Sequence, residues 1–310
     1  MKANSWLKMS DGQEVFISKW SDESIQPRAV LQLSHGMAEH IGRYEEFANF
    51  LVEHKVFVVG NDHRGHGETG KKIGDYGFFA EESGFERAVE DLKEINTEIH
   101  KKYPTTPVFI MGHSMGSFLV RRFLQRFHND VDAVILSGTG GNPGFMGKIA
   151  KVISKSQIRK LGQKSESQLM NKLVFGRYNK HIANVKTSYD WLTRDPQKIQ
   201  YYMDDPYCGF IPTTRFFYDL MDGLELIHKT EEVRKINKDL PFLLFSGDQD
   251  PVGNYTKGVV GVIEQYKRNG IKNIEYKFYK EGRHEMLNEL NRQEVYTDII
   301  QWIETQLKIV

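Results

Sequence analysis

The chain has a single cysteine, Cys208, in 310 residues. An intramolecular disulfide is therefore impossible, and a cysteine-based zinc site is not expected. No apolar run approaches the roughly 20 residues that a membrane-spanning helix needs. Met1 to Val15 lacks an apolar core of signal-peptide length. An excess of one charge is missing too: 42 Lys and Arg stand against 41 Asp and Glu, a net charge of +1. No overall field draws the protein to nucleic acid, and attraction to an anionic surface would have to come from a local patch. These absences lead to the expectation of a cytoplasmic protein with no nucleic-acid partner. What remains is material for a core, with 39% hydrophobic and 27% charged residues. The length suits one large α/β domain with an inserted subdomain, or two ordinary domains.

Short β-branched runs alternate with amphipathic stretches, the pattern of a sheet covered by helices on both faces. Strands are predicted over Glu14–Trp20, Ala29–Ser34, Val56–Asn61, Val108–Met111, Ala133–Ser137, Phe242–Ser246 and Ile274–Tyr279. The runs Val56-Phe57-Val58-Val59 and Ala133-Val134-Ile135-Leu136 are almost continuously apolar, as in parallel strands buried on both faces. Glu14–Trp20 precedes every helix and reads as part of an antiparallel edge hairpin. Helices are predicted over Tyr44–His54, Gly84–His100, Met115–Phe127, Tyr255–Arg268 and Arg292–Leu307. The alternation breaks at Gly138-Thr139-Gly140-Gly141-Asn142-Pro143-Gly144 and resumes at Leu240-Pro241-Phe242. The economical reading is an α/β core in two parts, 1–138 and 240–310, with a helical cap inserted over 139–239.

Gly112-x-Ser114-x-Gly116 has the form of a nucleophile elbow, a strand-to-helix turn so tight that small residues must flank the serine. As a bare pattern it recurs by chance in roughly one chain in ten of this size. Here a good strand, Pro107 to Met111, runs into it and an apolar helix runs out of it. A serine is a poor nucleophile near neutral pH and needs a base oriented by a carboxylate. In this architecture the acid and then the histidine follow on loops after later strands. Asp248 and Asp250 both lie in the turn after Phe242–Ser246. Asp248 sits at the strand end, where turn residues cap backbone. Asp250 lies further out, before Pro251, can reach across, and is favoured. His284 is the one histidine of 11 between the last strand and the last helix. Two backbone N–H groups should stabilise the oxyanion. Met115, at the helix start, offers one; Met37, after Gly36 in the loop following Ala29–Ser34, offers the other. His35, His63 and His66 are ligand types for a metal, but the glycines among them indicate a structural loop, and no metal or cofactor is expected.

Four motifs then carry a resemblance: His35-Gly36-Met37-Ala38-Glu39-His40 with Gly42-Arg43-Tyr44; Asp62-His63-Arg64-Gly65-His66-Gly67; Gly112-His113-Ser114-Met115-Gly116; and Glu281-Gly282-Arg283-His284-Glu285. In this order they resemble the monoacylglycerol lipase and lysophospholipase branch of the α/β-hydrolases, also described as serine aminopeptidase-like. The resemblance implies the α/β-hydrolase fold, catalytic Ser114, Asp250 and His284, and an oxyanion hole at Met37 and Met115. It also implies a mobile cap over an acyl-chain pocket. Three positions depart from the pattern: bulky Met37 after His-Gly, Ser117 where glycine is frequent, and Thr69 where serine is usual.

Between Gly147 and Lys180 nine Lys or Arg face one acid, Glu166. Phe145, Met146, Ile149, Val152 and Ile153 recur among them at helical spacing. A basic amphipathic helix of this kind suits peripheral contact with an anionic membrane, while packing against the core is the plainer alternative. The expected activity is hydrolysis of a single-chain lipid ester, a monoacylglycerol or a lysophospholipid, through an acyl-enzyme on Ser114. An aminopeptidase, a short-chain carboxylesterase and a non-catalytic ligand-binding protein are the alternatives. Acyl length, head group and oligomeric state are left open.

Overall fold

A computed structural model describes residues 1–308. Eight strands form one sheet in the order β1-β2-β4-β3-β5-β6-β7-β8. They are β1 Lys2–Lys8, β2 Glu14–Trp20, β3 Ala29–Ser34, β4 Val56–Asn61, β5 Val108–His113, β6 Ala133–Ser137, β7 Phe242–Gly247 and β8 Ile274–Tyr279. β2 pairs antiparallel with β1 and β4; every other pairing is parallel. The predicted hairpin is present, but its outer strand β1 was not legible in sequence. Six of its seven residues are exposed, so it carries no alternation of buried and solvated positions to mark it.

The helices are α1 Glu45–Glu53, α2 Gly67–Ile73, α3 Gly84–Lys102, α4 Met115–Phe127, α5 Gly144–Leu161, α6 Gln168–Phe175, α7 Pro196–Asp204, α8 Thr214–Ile227, α9 Thr230–Val233, α10 Lys257–Arg268 and α11 Arg292–Gln306. Successive strand side chains point to opposite faces, and the core divides accordingly. Phe57, Ile110, Val134 and Leu244 join the cluster under α3, α4, α8 and α10. Val58, Phe109, Ile135 and Phe245 join the cluster under α1 and α11. This two-sided burial is why the central strands read as continuous apolar runs. No described helix is long and apolar enough to cross a membrane.

Five helices, α5 to α9, lie between β6 and β7. They do not form one layer. α8 packs on α3 and α4 and buries Phe216, Leu220, Leu224 and Ile227 in the main core. α5 packs along α8 with Ser154 as its one buried residue. Trp191, Leu192 and Tyr202 form a small separate cluster against Phe175 and Tyr178.

Candidate active site

β5 delivers Ser114 into a turn with φ 52° and ψ −121°, a conformation that a non-glycine residue adopts only when its surroundings impose it. They do so here. A Cβ on Gly116 would lie 2.1 Å from the Ser34 carbonyl oxygen, and one on Gly112 would lie 2.4 Å from that of Gly116. α4 therefore approaches β3 and β5 closely only with glycines on both sides of the serine. The Ser114 N–H donates to the Ser137 carbonyl at 2.9 Å, and Ser117, where glycine is frequent in the resembled family, donates its Oγ to the Ser114 carbonyl at 2.5 Å.

His284 and Asp250 come from the loops after β8 and β7. His284 Nδ1 lies 3.0 Å from Asp250 Oδ1, with both side chains buried. Asp250 is itself fixed: Oδ1 accepts from the Val252 N–H at 2.8 Å and Oδ2 from Ser246 Oγ at 3.2 Å. Asp248 faces elsewhere and accepts from the Glu281 N–H at 2.8 Å and from Gln249 Nε2 at 2.9 Å. Burial works against a charged His284, but Asp250, with Glu285 and Glu39 behind it, outweighs burial and holds the imidazole above its ordinary pKa. His113, whose ring centroid is 4.7 Å from that of His284, is pushed down to about 4 by burial and then by His284.

Ser114 and His284 line one cavity. The Ser114 Oγ makes no hydrogen bond with another described residue. Neither the Met37 N–H nor the Met115 N–H donates to a protein atom among the described residues, although both residues line the space in front of Ser114. Two unpaired donors facing a serine are what an oxyanion would need.

Sequence reasoning quoted Glu39, Arg43 and Glu285 within motifs but gave them no role. The structure joins them. Arg43 binds Glu285 through two hydrogen bonds of 2.6 and 2.7 Å and Glu39 through one of 2.6 Å. Glu39 also accepts from the Gly36 N–H at 2.5 Å and from Tyr44 at 2.8 Å. This cluster fixes the loop that carries Met37. From the inserted segment, Tyr202 Oη donates to the Ala38 carbonyl at 2.9 Å. The His284 and Glu285 N–H groups donate to the carbonyls of Trp191 and Leu192, and the Trp191 ring lies 5.1 Å from that of His284. The 190–193 segment is thus tied to the histidine loop.

Two cavities meet at Ser114 and Met37. The larger, about 1080 Å³, is walled by Phe118, Ile149, Ile153, Val174, Leu220 and Leu224. The smaller, about 460 Å³, includes Glu39, His113, Asn179, Tyr202, His284 and Glu285. His35, His63 and His66 lie outside both and are bound locally: His35 Nε2 accepts from the His63 N–H at 3.0 Å, His63 Nε2 lies 3.1 Å from Ser34 Oγ, and His66 Nδ1 lies 2.9 Å from the Arg64 carbonyl. Thr69 Oγ1 joins this loop to β2, donating to the Asp62 carbonyl and accepting from the Phe16 N–H. Among the described residues, the trio with metal-ligand atoms all within 4.8 Å of one another is His40, Asp205 and Cys208. Burial pushes the Cys208 thiol up, away from the thiolate that a metal takes.

A family profile described as serine aminopeptidase, S33, matches residues 25–291. The chain is 26% identical over 302 residues to a monoacylglycerol lipase of Mycolicibacterium smegmatis, covering 96% of this chain and 95% of that one. It is 26% identical over 305 residues to the human monoglyceride lipase, covering 96% and 89%. Its structure superposes on that of a thermostable carboxyl esterase from Bacillus coagulans in complex with glycerol, with a TM-score of 0.91 at 27% identity over 99% of each chain. With the sheet order, the elbow at Ser114 and a match over most of its length, the chain belongs to the serine aminopeptidase S33 family and has the α/β-hydrolase fold.

Proposed function

We propose that this protein is a carboxylic ester hydrolase that cleaves single-chain lipid esters with a neutral head group, monoacylglycerols foremost. The observation that carries the reading is the convergence on one strained serine of an Asp250-bound histidine, two unpaired N–H groups and a large apolar cavity. Ser114 Oγ attacks the ester carbonyl and passes its proton to His284 Nε2. The Met37 and Met115 N–H groups donate to the developing oxyanion. His284 then protonates the departing alcohol oxygen, and a water activated by the same imidazole releases the acid from Ser114. Asp250 stabilises the imidazolium that exists between those transfers. The Ser114–His284 hydrogen bond forms as substrate enters, in line with the looser geometry of unliganded sites.

The leaving alcohol must lie beside the acid that protonates it. His284 lines the smaller cavity and is absent from the larger, so the alcohol belongs in the smaller and the acyl chain in the larger. The alcohol side presents two carboxylates, Glu39 and Glu285, held by one guanidinium. Lys172 also lines this cavity, so two carboxylates meet two cations, and glycerol hydroxyls can donate to Glu39 and Glu285 where a phosphate ester offers them acceptors alone. An aminopeptidase would need a carboxylate on the acyl side to hold the free amine, and the larger cavity is lined by no Asp or Glu. The carboxyl esterase structure that this chain resembles holds glycerol.

We also retain contact with an anionic membrane through α5. Phe145, Met146 and Val152 are 75%, 68% and 69% exposed beside Lys148, Lys155, Arg159 and Lys160. Ile149 and Ile153 of the same helix line the acyl cavity, so a helix resting on lipid would open directly to the site.

The deciding experiment is hydrolysis of a panel of monoacylglycerols, lysophospholipids, short p-nitrophenyl esters and aminoacyl amides, with Ser114→Ala alongside. Monoacylglycerol is expected to lead, and Ser114→Ala to lose several orders of magnitude in kcat. Failure of the native protein to react with a fluorophosphonate that labels a control serine hydrolase would remove the enzyme reading and leave a ligand-binding protein.

A further inference from the structure

The acyl cavity changes character along its length. Near Ser114 it is walled by Met115, Phe118 and Leu220; where α8, α9 and α10 end it is lined by His228, Arg234, Gln265 and Arg268, with Lys257 at the opposite end of α10. Every charged side chain on its wall is a cation. The acid of the adjoining cavity, Glu225, is held by Lys151 at 2.8 Å. Arg234, Lys257 and Arg268 make no ion pair among the described residues.

Beneath this end lies Arg121, fully buried on α4 and in contact with no carboxylate. Its two terminal nitrogens donate to the Gly140 carbonyl at 2.9 Å, to Thr139 Oγ1 at 3.5 Å and to the His228 ring at 3.3 Å, and the buried Tyr266 hydroxyl, a neutral group, lies beside it. His228 is pushed down to about 3, by burial and then by Arg121. The ring is therefore neutral and accepts from the arginine, so the buried positive charge sits directly behind the cavity wall. A buried guanidinium with no acid beside it is an uncompensated charge in a poorly screened place. It favours an anion on the other side of His228.

Arg121 lies six residues beyond Met115 on α4, about 9 Å of helix rise. α10 runs from Lys257 to Arg268, about 16 Å. The basic end is thus separated from the reacting carbonyl by an apolar stretch, which suits a chain whose charge is remote from the ester.

We propose that the far end of the acyl cavity, formed by Arg234, Arg268 and the Arg121–His228 pair, is a binding site for a carboxylate carried by a fatty chain. Two sources share this chemistry: an acyl group with a carboxylate at its distal end, and a free fatty acid lodged in the cavity with its carboxylate outward. The assignment of the larger cavity to the acyl chain rests on the ester-hydrolase reading above; the cationic lining does not.

The test compares kcat/KM for p-nitrophenyl dodecanoate and its ω-carboxy counterpart, in the native protein and in Arg234→Gln/Arg268→Gln. The ω-carboxy ester is expected to be hydrolysed at least as well as the neutral one. The ratio of the two should fall about tenfold in the double variant, the scale of one charge-assisted hydrogen bond. Taking a ratio removes any general loss of folded protein. Competitive inhibition by free dodecanoate, relieved in the double variant without any ω-carboxy preference, would support the site and assign it to the free acid. A native preference for the neutral ester with no inhibition by dodecanoate, and neither changed by the substitutions, overturns the proposal. If p-nitrophenyl acetate is not cleaved in a Ser114-dependent way, the ester reading fails separately. Calorimetric binding of dodecanedioate to the native protein and the double variant then decides the site alone: equal or absent binding overturns it, and weaker binding by the variant supports it.

Discussion

Glu285 and Arg43, 242 residues apart in the chain, meet through two parallel hydrogen bonds of 2.6 and 2.7 Å, with Glu285 lining the same cavity as Ser114. Arg43 holds Glu285 ionised against the cost of burial and at the same time binds Glu39, which anchors the Gly36 N–H. One guanidinium thus ties the loop that carries His284 to the loop that carries Met37. Arg43→Gln leaves two buried carboxylates without a cation and should cost about 3–5 kcal/mol of stability, read as a lower urea midpoint. Arg43→Lys keeps the charge but not the fork. It should fold and yet lose kcat more than it raises KM, because the proposed mechanism uses the Met37 N–H in the transition state. An unchanged kcat in a folded Arg43→Lys protein would count against this link.

The two aspartates of the β7 turn should separate cleanly. Asp250→Asn removes the charge that supports the imidazolium and is expected to lower kcat by about three to four orders of magnitude. Asp248 holds only its turn, and Asp248→Asn should stay within about twofold. Comparable losses from both would contradict the assignment.

The acid limb of kcat/KM reports His284 in the free enzyme. Its pKa is raised in the folded protein, so activity should fall as pH drops through a midpoint above the ordinary 6.5. Asp250→Asn should carry whatever activity remains to a lower midpoint. A native midpoint well under 6 would show that another group controls this limb.

Stability should move in the same pH range for a different reason. Burial drives His35 well below its ordinary value and His63 and His66 down to about 3 and about 4, with His113 also at about 4. These rings stay neutral when folded and take up protons when unfolded, so the unfolded state binds more protons below about pH 6.5. Stability is then fully present above that pH and is lost as pH falls toward the folded values. Each such histidine contributes a loss of about 1.4 kcal/mol per pH unit within that window. Urea midpoints between pH 7.5 and 5 test this; a flat profile would refute it.

Membrane contact through α5 predicts co-sedimentation with anionic vesicles and little with neutral ones, since each basic residue near the headgroups contributes about 1 kcal/mol. Phe145→Ser with Val152→Ser should weaken binding at unchanged net charge. Equal, negligible sedimentation with both vesicle types would end the idea.

The sequence by itself determined the elements whose signals are local. β4, β5 and β6 announce themselves because strands buried on both faces have no polar positions. The elbow is legible because only glycines at 112 and 116 let α4 approach so near to β3. The chain order of Ser114, Asp250 and His284 follows the order of the strands that present them. β1 was invisible for the opposite reason: an exposed edge strand has no buried face to impose a pattern. The tertiary structure alone decided what distance along the chain conceals. It joined Glu39, Arg43 and Glu285, moved α8 into the core, and placed Glu39 and Glu285 on one side of Ser114 and Arg234 and Arg268 on the other. Electrostatic contacts depend on separation in space, and parallel strands bring residues together that spacing in the chain does not relate.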